Sequence, residues 1–160
     1  MTTTLRVSPT TAVIPVHAVW GAAAGLVGGI GFGIWMSVSR PMMDTAMITM
    51  VAGLLGSTNA VVGWLVHLVI ALFAGIGFGI LLGEFAQKLV PAAVLGLAYG
   101  AVWWVVGALW IMPANLHMPV FEWNPVTRSS LGGHLLFGLL MGLAYSCIAQ
   151  MAGKRTPAAR

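Results

Sequence analysis

Residues 74–80 read AGIGFGI, and residues 28–34 read GGIGFGI. Closely spaced glycines can cradle phosphates, but such a loop needs a strand before it and a solvated helix N-terminus after it. Both copies lie instead in the middle of long apolar runs. A nucleotide-binding reading is rejected, and the runs themselves become the question.

The chain has 160 residues, of which seven are Lys or Arg, three are Asp or Glu, and 59% are apolar. A soluble domain carries roughly 25% charged residues. The few charges are also segregated. They leave four charge-free windows: between Arg6 and Arg40, Asp44 and Glu84, Lys88 and Glu122, and Arg128 and Lys154. Each window holds the ~20 residues that an α-helix needs to cross a bilayer. The expected fold is an all-α membrane protein, one domain over 1–160, with spans at about 18–38, 60–83, 91–112 and 130–151. A cleaved signal peptide is the alternative for the first span, with Ala22, Ala23 and Ala24 mimicking a cleavage region. The apolar run, however, continues to Val38.

With four spans, Arg6, Lys88, Lys154, Arg155 and Arg160 share one side, and Arg40 and Arg128 share the other. The positive-inside rule then predicts a multi-pass protein with both termini cytoplasmic. Trp35, Trp64, Trp110 and Trp123 fall near the outer interface in that arrangement. The net charge of +4 is read as a topology signal rather than as a nucleic-acid surface. A single cysteine, Cys147, excludes an intrachain disulfide.

The opening repeat is part of a larger register. Aligning Gly29, Gly75, Gly96 and Gly142 places Phe32, Phe78, Tyr99 and Tyr145 three residues on, all aromatic. Gly33, Gly79, Gly100 and Ser146 follow at the fourth position, and Gly25, Ala71, Ala92 and Gly138 precede by four. Small residues at i, i+4 and i+8 make a flat stripe that lets helix backbones approach closely in lipid. Helix packing is therefore assigned to Gly25, Gly29, Gly33, Ala71, Gly75, Gly79, Gly96, Gly100, Gly138 and Gly142, with the aromatics filling space above a neighbour's glycine. The first two spans map onto the last two at an offset of 67 residues, Gly29 to Gly96 and Gly75 to Gly142. This implies an internal two-helix duplication, a four-helix bundle and a pseudo-two-fold axis along the membrane normal.

The first outer connection carries helix signals: Ser39 as N-cap, Pro41 near N1, and Gly56 as C-cap. Met43, Met47, Met50, Val51 and Leu54 form one apolar stripe, and Arg40 and Asp44 are spaced to pair. An interfacial or re-entrant helix over about 41–55 is expected. The second outer connection, with three prolines, is expected to be irregular and anchored by Phe121 and Trp123. In the inner loop, Glu84 and Lys88 have the same i, i+4 spacing.

His67 and His134 occupy equivalent repeat positions, each eight residues before its glycine. Facing each other, two such imidazoles could hold haem, another pigment or a metal. They could equally bond a backbone carbonyl, as polar groups in a membrane must, or serve a substrate or proton. Nothing in the sequence supplies a carboxylate to orient a metal-bound imidazole. Met43, Met47, His117 and Met118 are weaker candidates for a soft ion such as Cu(I), since methionine is also ordinary apolar filler. Glu84, Asp44 and Glu122 fall at span ends or in connections, which weakens proton- or sodium-driven transport but leaves a histidine-based one open, and no catalytic constellation is present.

GWLVHLVIALFAGIGFGI (63–80), its echo GGHLLFGLLMGLAYS (132–146) and the connection WIMPANLHMP (110–119) resemble a loose group of four-span bacterial inner-membrane proteins of the YagU or domain-of-unknown-function type. The resemblance implies a bacterial cytoplasmic-membrane protein and, because that group has no agreed activity, no substrate. The expected role is a non-enzymatic accessory or scaffold subunit without a cofactor. It would pack against lipid and against other membrane subunits or its own copies through the glycine faces. The alternatives are a haem-, pigment- or metal-binding subunit built on His67 and His134, and a small oligomeric permease.

Overall fold

In the bilayer core no water is available to backbone N–H and C=O groups, so an apolar chain must satisfy them internally. The computed structural model describes residues 9–40 and 46–154, and there the chain is helical wherever it is continuously apolar. Its elements are α1 (Pro9–Val38), α2 (Met47–Gly53), α3 (Ala60–Leu82), α4 (Leu89–Trp103), a π-helical continuation of α4 (Trp104–Ile111), α5 (Met112–Asn115) and α6 (Pro125–Lys154). Four stretches are long and apolar enough to cross a membrane: Pro15–Val38, Ala60–Leu82, Leu89–Asn115 and Pro125–Gly153. The protein is an all-α, multi-pass membrane protein.

Local chemistry explains where the spans differ from the charge windows. The fourth starts near 125 rather than 130 because Asn124 and Thr127 cap it reciprocally. The Asn124 side chain accepts from the Thr127 N–H at 3.0 Å, the Thr127 hydroxyl accepts from the Asn124 N–H at 2.9 Å, and Pro125 opens the helix. The third runs on to 115 because a π-helical turn carries it past Pro113. In an α-helix the Leu109 carbonyl would take the N–H of residue 113, which proline lacks. The N–H of Phe121 takes that carbonyl instead, at 2.7 Å, and ties the following connection back onto the helix. That connection turns sharply, with His117 and Phe121 at φ 54° and 56°.

The first connection contains a shorter helix than its sequence signals predict. Ala46 is extended, at φ −66° and ψ 135°, so α2 begins at Met47 instead of continuing from Pro41. Pro41, Met42, Met43 and Asp44, and with them the Arg40–Asp44 pairing, lie outside the described residues. Gly56 does take the left-handed conformation expected of a terminator, at φ 67°. α2 packs one face on the bundle: Met47, Ile48, Val51 and Ala52 are buried, and a Cβ at Gly63 of α3 would collide with the Ile48 carbonyl. Glu84 and Lys88 make no ion pair among the described residues, because 83–88 is a turn rather than a helix.

The helices pack in the spatial order α3–α1–α6–α4. α1 crosses α3 and α4 crosses α6, each glycine face against glycine face. A Cβ at Gly75 would strike the Gly21 carbonyl, and one at Gly79 the His17 carbonyl. In the other pair, a Cβ at Gly142 would strike the Ala92 carbonyl, and Gly96 and Gly138 block each other. The two pairs join through α1 and α6, where Phe32 lies over Gly133. A two-fold axis would make the α3–α4 contact as extensive as the α1–α6 contact. It is not: α3 and α4 barely touch. The predicted symmetry is therefore incomplete, and the open side forms a cleft.

Candidate functional site

The cleft between α3 and α4 is closed in the half of the membrane nearer the termini. There the Tyr99 hydroxyl donates to the Ala74 carbonyl at 2.9 Å, and the Tyr99 and Phe78 rings meet edge to face at 5.5 Å. In the other half the cleft widens into a cavity of about 410 Å³. Its back wall is Phe32 of α1 and Phe137 of α6, α2 contributes Met47 and Val51, and the π-helical stretch contributes Gly107 and Ile111. The π-helical stretch buries none of its residues, which leaves its wide turn bordering the cavity. Val69 and Phe73 of α3 line the rim and are 53% and 66% exposed, on the face that lipid would cover.

His67 and His134 both border this cavity. His67 Nε2 meets the Gly29 carbonyl oxygen at 2.9 Å, and His134 Nδ1 meets the Ser130 carbonyl oxygen at 2.8 Å. A carbonyl only accepts, so each of those nitrogens is the protonated one. The neutral rings then keep a lone pair on His67 Nδ1 and on His134 Nε2. Neither atom makes a hydrogen bond among the described residues. No buried side-chain nitrogen or oxygen lacks a partner among the described residues, so both atoms border open space. The space both residues line is the cavity. The orienting groups that the sequence did not supply as carboxylates are backbone carbonyls.

The imidazoles do not face each other directly. Phe32 packs edge to face against both, with centroid separations of 5.2 Å to His67 and 4.6 Å to His134. A flat macrocycle held between the two rings would have to displace it.

All ten residues assigned to helix packing lie at contacts within the chain. Gly25, Gly29, Ala71, Gly75 and Gly79 line the α1–α3 crossing, Gly33 lies under the Trp64 ring, and Gly96, Gly100, Gly138 and Gly142 line the α4–α6 crossing. Among the weaker metal candidates, Met47 and Met118 line the cavity, His117 is on the loop after α5 and does not, and Met43 lies outside the described residues. No group of three or more His, Cys, Asp or Glu side chains close enough to hold a metal occurs among the described residues.

Two features escape a reading of the sequence. Phe32 appears there only as one aromatic of a register, although its pairing with both imidazoles fixes their spacing. The second is a buried cluster near the termini, where His17 Nδ1 is hydrogen-bonded to the fully buried Tyr145 hydroxyl and Trp20 packs beside both rings. These partners are 128 residues apart, so no local spacing signals them. Comparison of the chain with family models, with curated proteins and with solved structures finds no match.

Proposed function

We propose that this chain is a non-enzymatic membrane protein that takes a small apolar molecule from the bilayer and holds it against His67 and His134. One observation carries the reading. Both imidazoles commit one nitrogen to a backbone carbonyl and leave the other bordering a single apolar cavity. Volume decides the kind of ligand. A cavity of about 410 Å³ falls within the roughly 300–1,000 Å³ typical of organic-ligand sites. A Cu(I) ion held by Met47 and an imidazole would leave most of that space unused, and Phe32 stands where a bis-imidazole haem would lie.

The accessory-subunit reading draws on the glycine faces, and those faces are occupied inside the chain. A permeation path along them is closed for the same reason. We place the protein in a bacterial cytoplasmic membrane with both termini cytoplasmic, a reading supported by the distribution of basic residues, so that the cavity opens to the outer leaflet. The equivalence of the α1–α3 and α4–α6 crossings supports an internal duplication.

Native mass spectrometry of protein released gently from its own membranes tests the function. The expected spectrum shows a small organic mass on the wild type that is lost from His134→Leu. Additional protein mass without a small molecule would instead favour the accessory-subunit reading.

A further inference from the structure

We infer that the ligand is a lipid-soluble ring bearing hydroxyl donors, of the phenol or hydroquinone kind, and that the site discriminates against the corresponding carbonyl form. This rests on the ligand-binding reading above and adds the chemical class. The argument begins with what the cavity offers. His67 is 6% exposed and lines the cavity, and its Nδ1 is the ring nitrogen without a hydrogen bond among the described residues. His134 Nε2 presents a second lone pair to the same space, beside Gly107. Each acceptor is complemented by an O–H and repelled by a ketone oxygen, which brings a lone pair against a lone pair.

Among the polar groups lining the cavity, the Asn124 amide donates to the Glu122 carboxylate at 3.0 Å, and the Ser130 hydroxyl lies 3.2 Å from His134 Nδ1. The Thr127 hydroxyl donates to the carbonyls of Glu122 and Asn124, each at 3.0 Å. The remaining walls suit a ring: Phe32, Phe137 and Trp103 line the same cavity. Phe32, edge-on to both, holds the two acceptors apart so that a ligand meets them from the cleft side. The route in also selects the ligand. Among the lining residues, Phe73 on α3 and Ile111 on the π-helical stretch are 66% and 45% exposed, and both are apolar. A molecule arriving there comes from lipid.

The test uses the full-length protein in nanodiscs and three probes of one shape: tetramethylhydroquinone, its dimethyl ether and tetramethylbenzoquinone. Binding is measured by anaerobic titration calorimetry, with empty nanodiscs subtracted. The expected result is that the hydroquinone binds at least about tenfold more tightly than the other two, as one or two well-aligned hydrogen bonds would give. Equal binding of all three, or preference for the quinone, overturns the class and leaves the ligand-binding reading standing. No binding of any probe above empty nanodiscs overturns both. In His134→Leu, whose fold is checked by thermal melting, the preference shrinks while ether binding persists. A preference retained in full would place the acceptor elsewhere and end the inference.

Discussion

His67 Nε2 donates to the carbonyl oxygen of Gly29 at 2.9 Å, crossing from α3 to α1. The residue at the equivalent repeat position, His134, bonds within its own helix, to Ser130. The two imidazoles therefore differ in what else they hold. His67 ties two helices by a hydrogen bond as well as bordering the cavity, whereas the His134 side chain makes no hydrogen bond to another helix.

That difference predicts unequal costs. His67→Leu removes a buried interhelical hydrogen bond and should lower stability by about 0.5–1.5 kcal/mol. Both variants lose an edge-to-face contact with Phe32, but the hydrogen bond lost in His134→Leu is intrahelical, so that variant should cost less, while affecting ligand occupancy at least as much. Thermal unfolding of both variants in the same detergent checks the order. A larger loss in His134→Leu would mean that the α4–α6 pair relies on its imidazole in a way the hydrogen bonds do not reveal.

The glycine crossings give a sharper contrast. A Cβ at Gly75 or Gly142 meets backbone carbonyls, which no side-chain rotation relieves, whereas a Cβ at Gly153 meets nothing within 4 Å. Gly75→Ala and Gly142→Ala should each cost about 1–3 kcal/mol through forced helix separation, and Gly153→Ala should be neutral or slightly stabilising. Native mass spectrometry should show an unchanged copy number in all three. A change of oligomeric state at full monomer stability would show that these faces serve subunit contacts.

Much of this arrangement is legible in the sequence, and the exceptions have physical reasons. Charge-free windows reveal spans because a charge in the bilayer core is costly. The aligned glycines reveal faces because close backbone approach needs small residues. Neither signal says which faces meet, and the duplication itself points to a two-fold arrangement in which α3 and α4 would close. The open α3–α4 side, and hence the cavity, depends on α2 packing over Gly63 and on the π-helical stretch after Trp103. The span expected to end at about 112 continues to Asn115 because the π-helical stretch accommodates Pro113. His67 and His134 could be paired by repeat position, whereas Phe32 between them could not.

Orientation has its own check. The proposed orientation rests on Arg6, Lys88, Lys154, Arg155 and Arg160 outnumbering Arg40 and Arg128, from which the positive-inside rule predicts cytoplasmic termini. Alkaline phosphatase fused after residue 160 should be inactive, and the same reporter fused after Met118 should be active. The reverse pattern would move the cavity to the inner leaflet without altering its chemistry.

Tyr99 tests whether the cleft between α3 and α4 is the ligand's doorway. Its hydroxyl bonds the Ala74 carbonyl at 2.9 Å, while its ring packs against Phe78 at 5.5 Å and Trp103 at 6.2 Å. Tyr99→Phe keeps both ring contacts and removes the hydrogen bond between the two helices. Stability should fall by about 0.5–1.5 kcal/mol. Because the tie holds the cleft shut at its closed end, its loss should let α3 and α4 part more readily. Release of a bound probe from nanodiscs should then accelerate by about fivefold, the factor that corresponds to about 1 kcal/mol. Equilibrium affinity should change less, since no group bordering the acceptor nitrogens is altered. Stopped-flow displacement on wild type and variant measures both quantities. If stability drops but release is unchanged, the ligand passes on the other side of the cavity, between α2 and the 116–124 connection. In that case Leu54→Trp, which adds bulk to that wall, should slow release where Tyr99→Phe did not speed it.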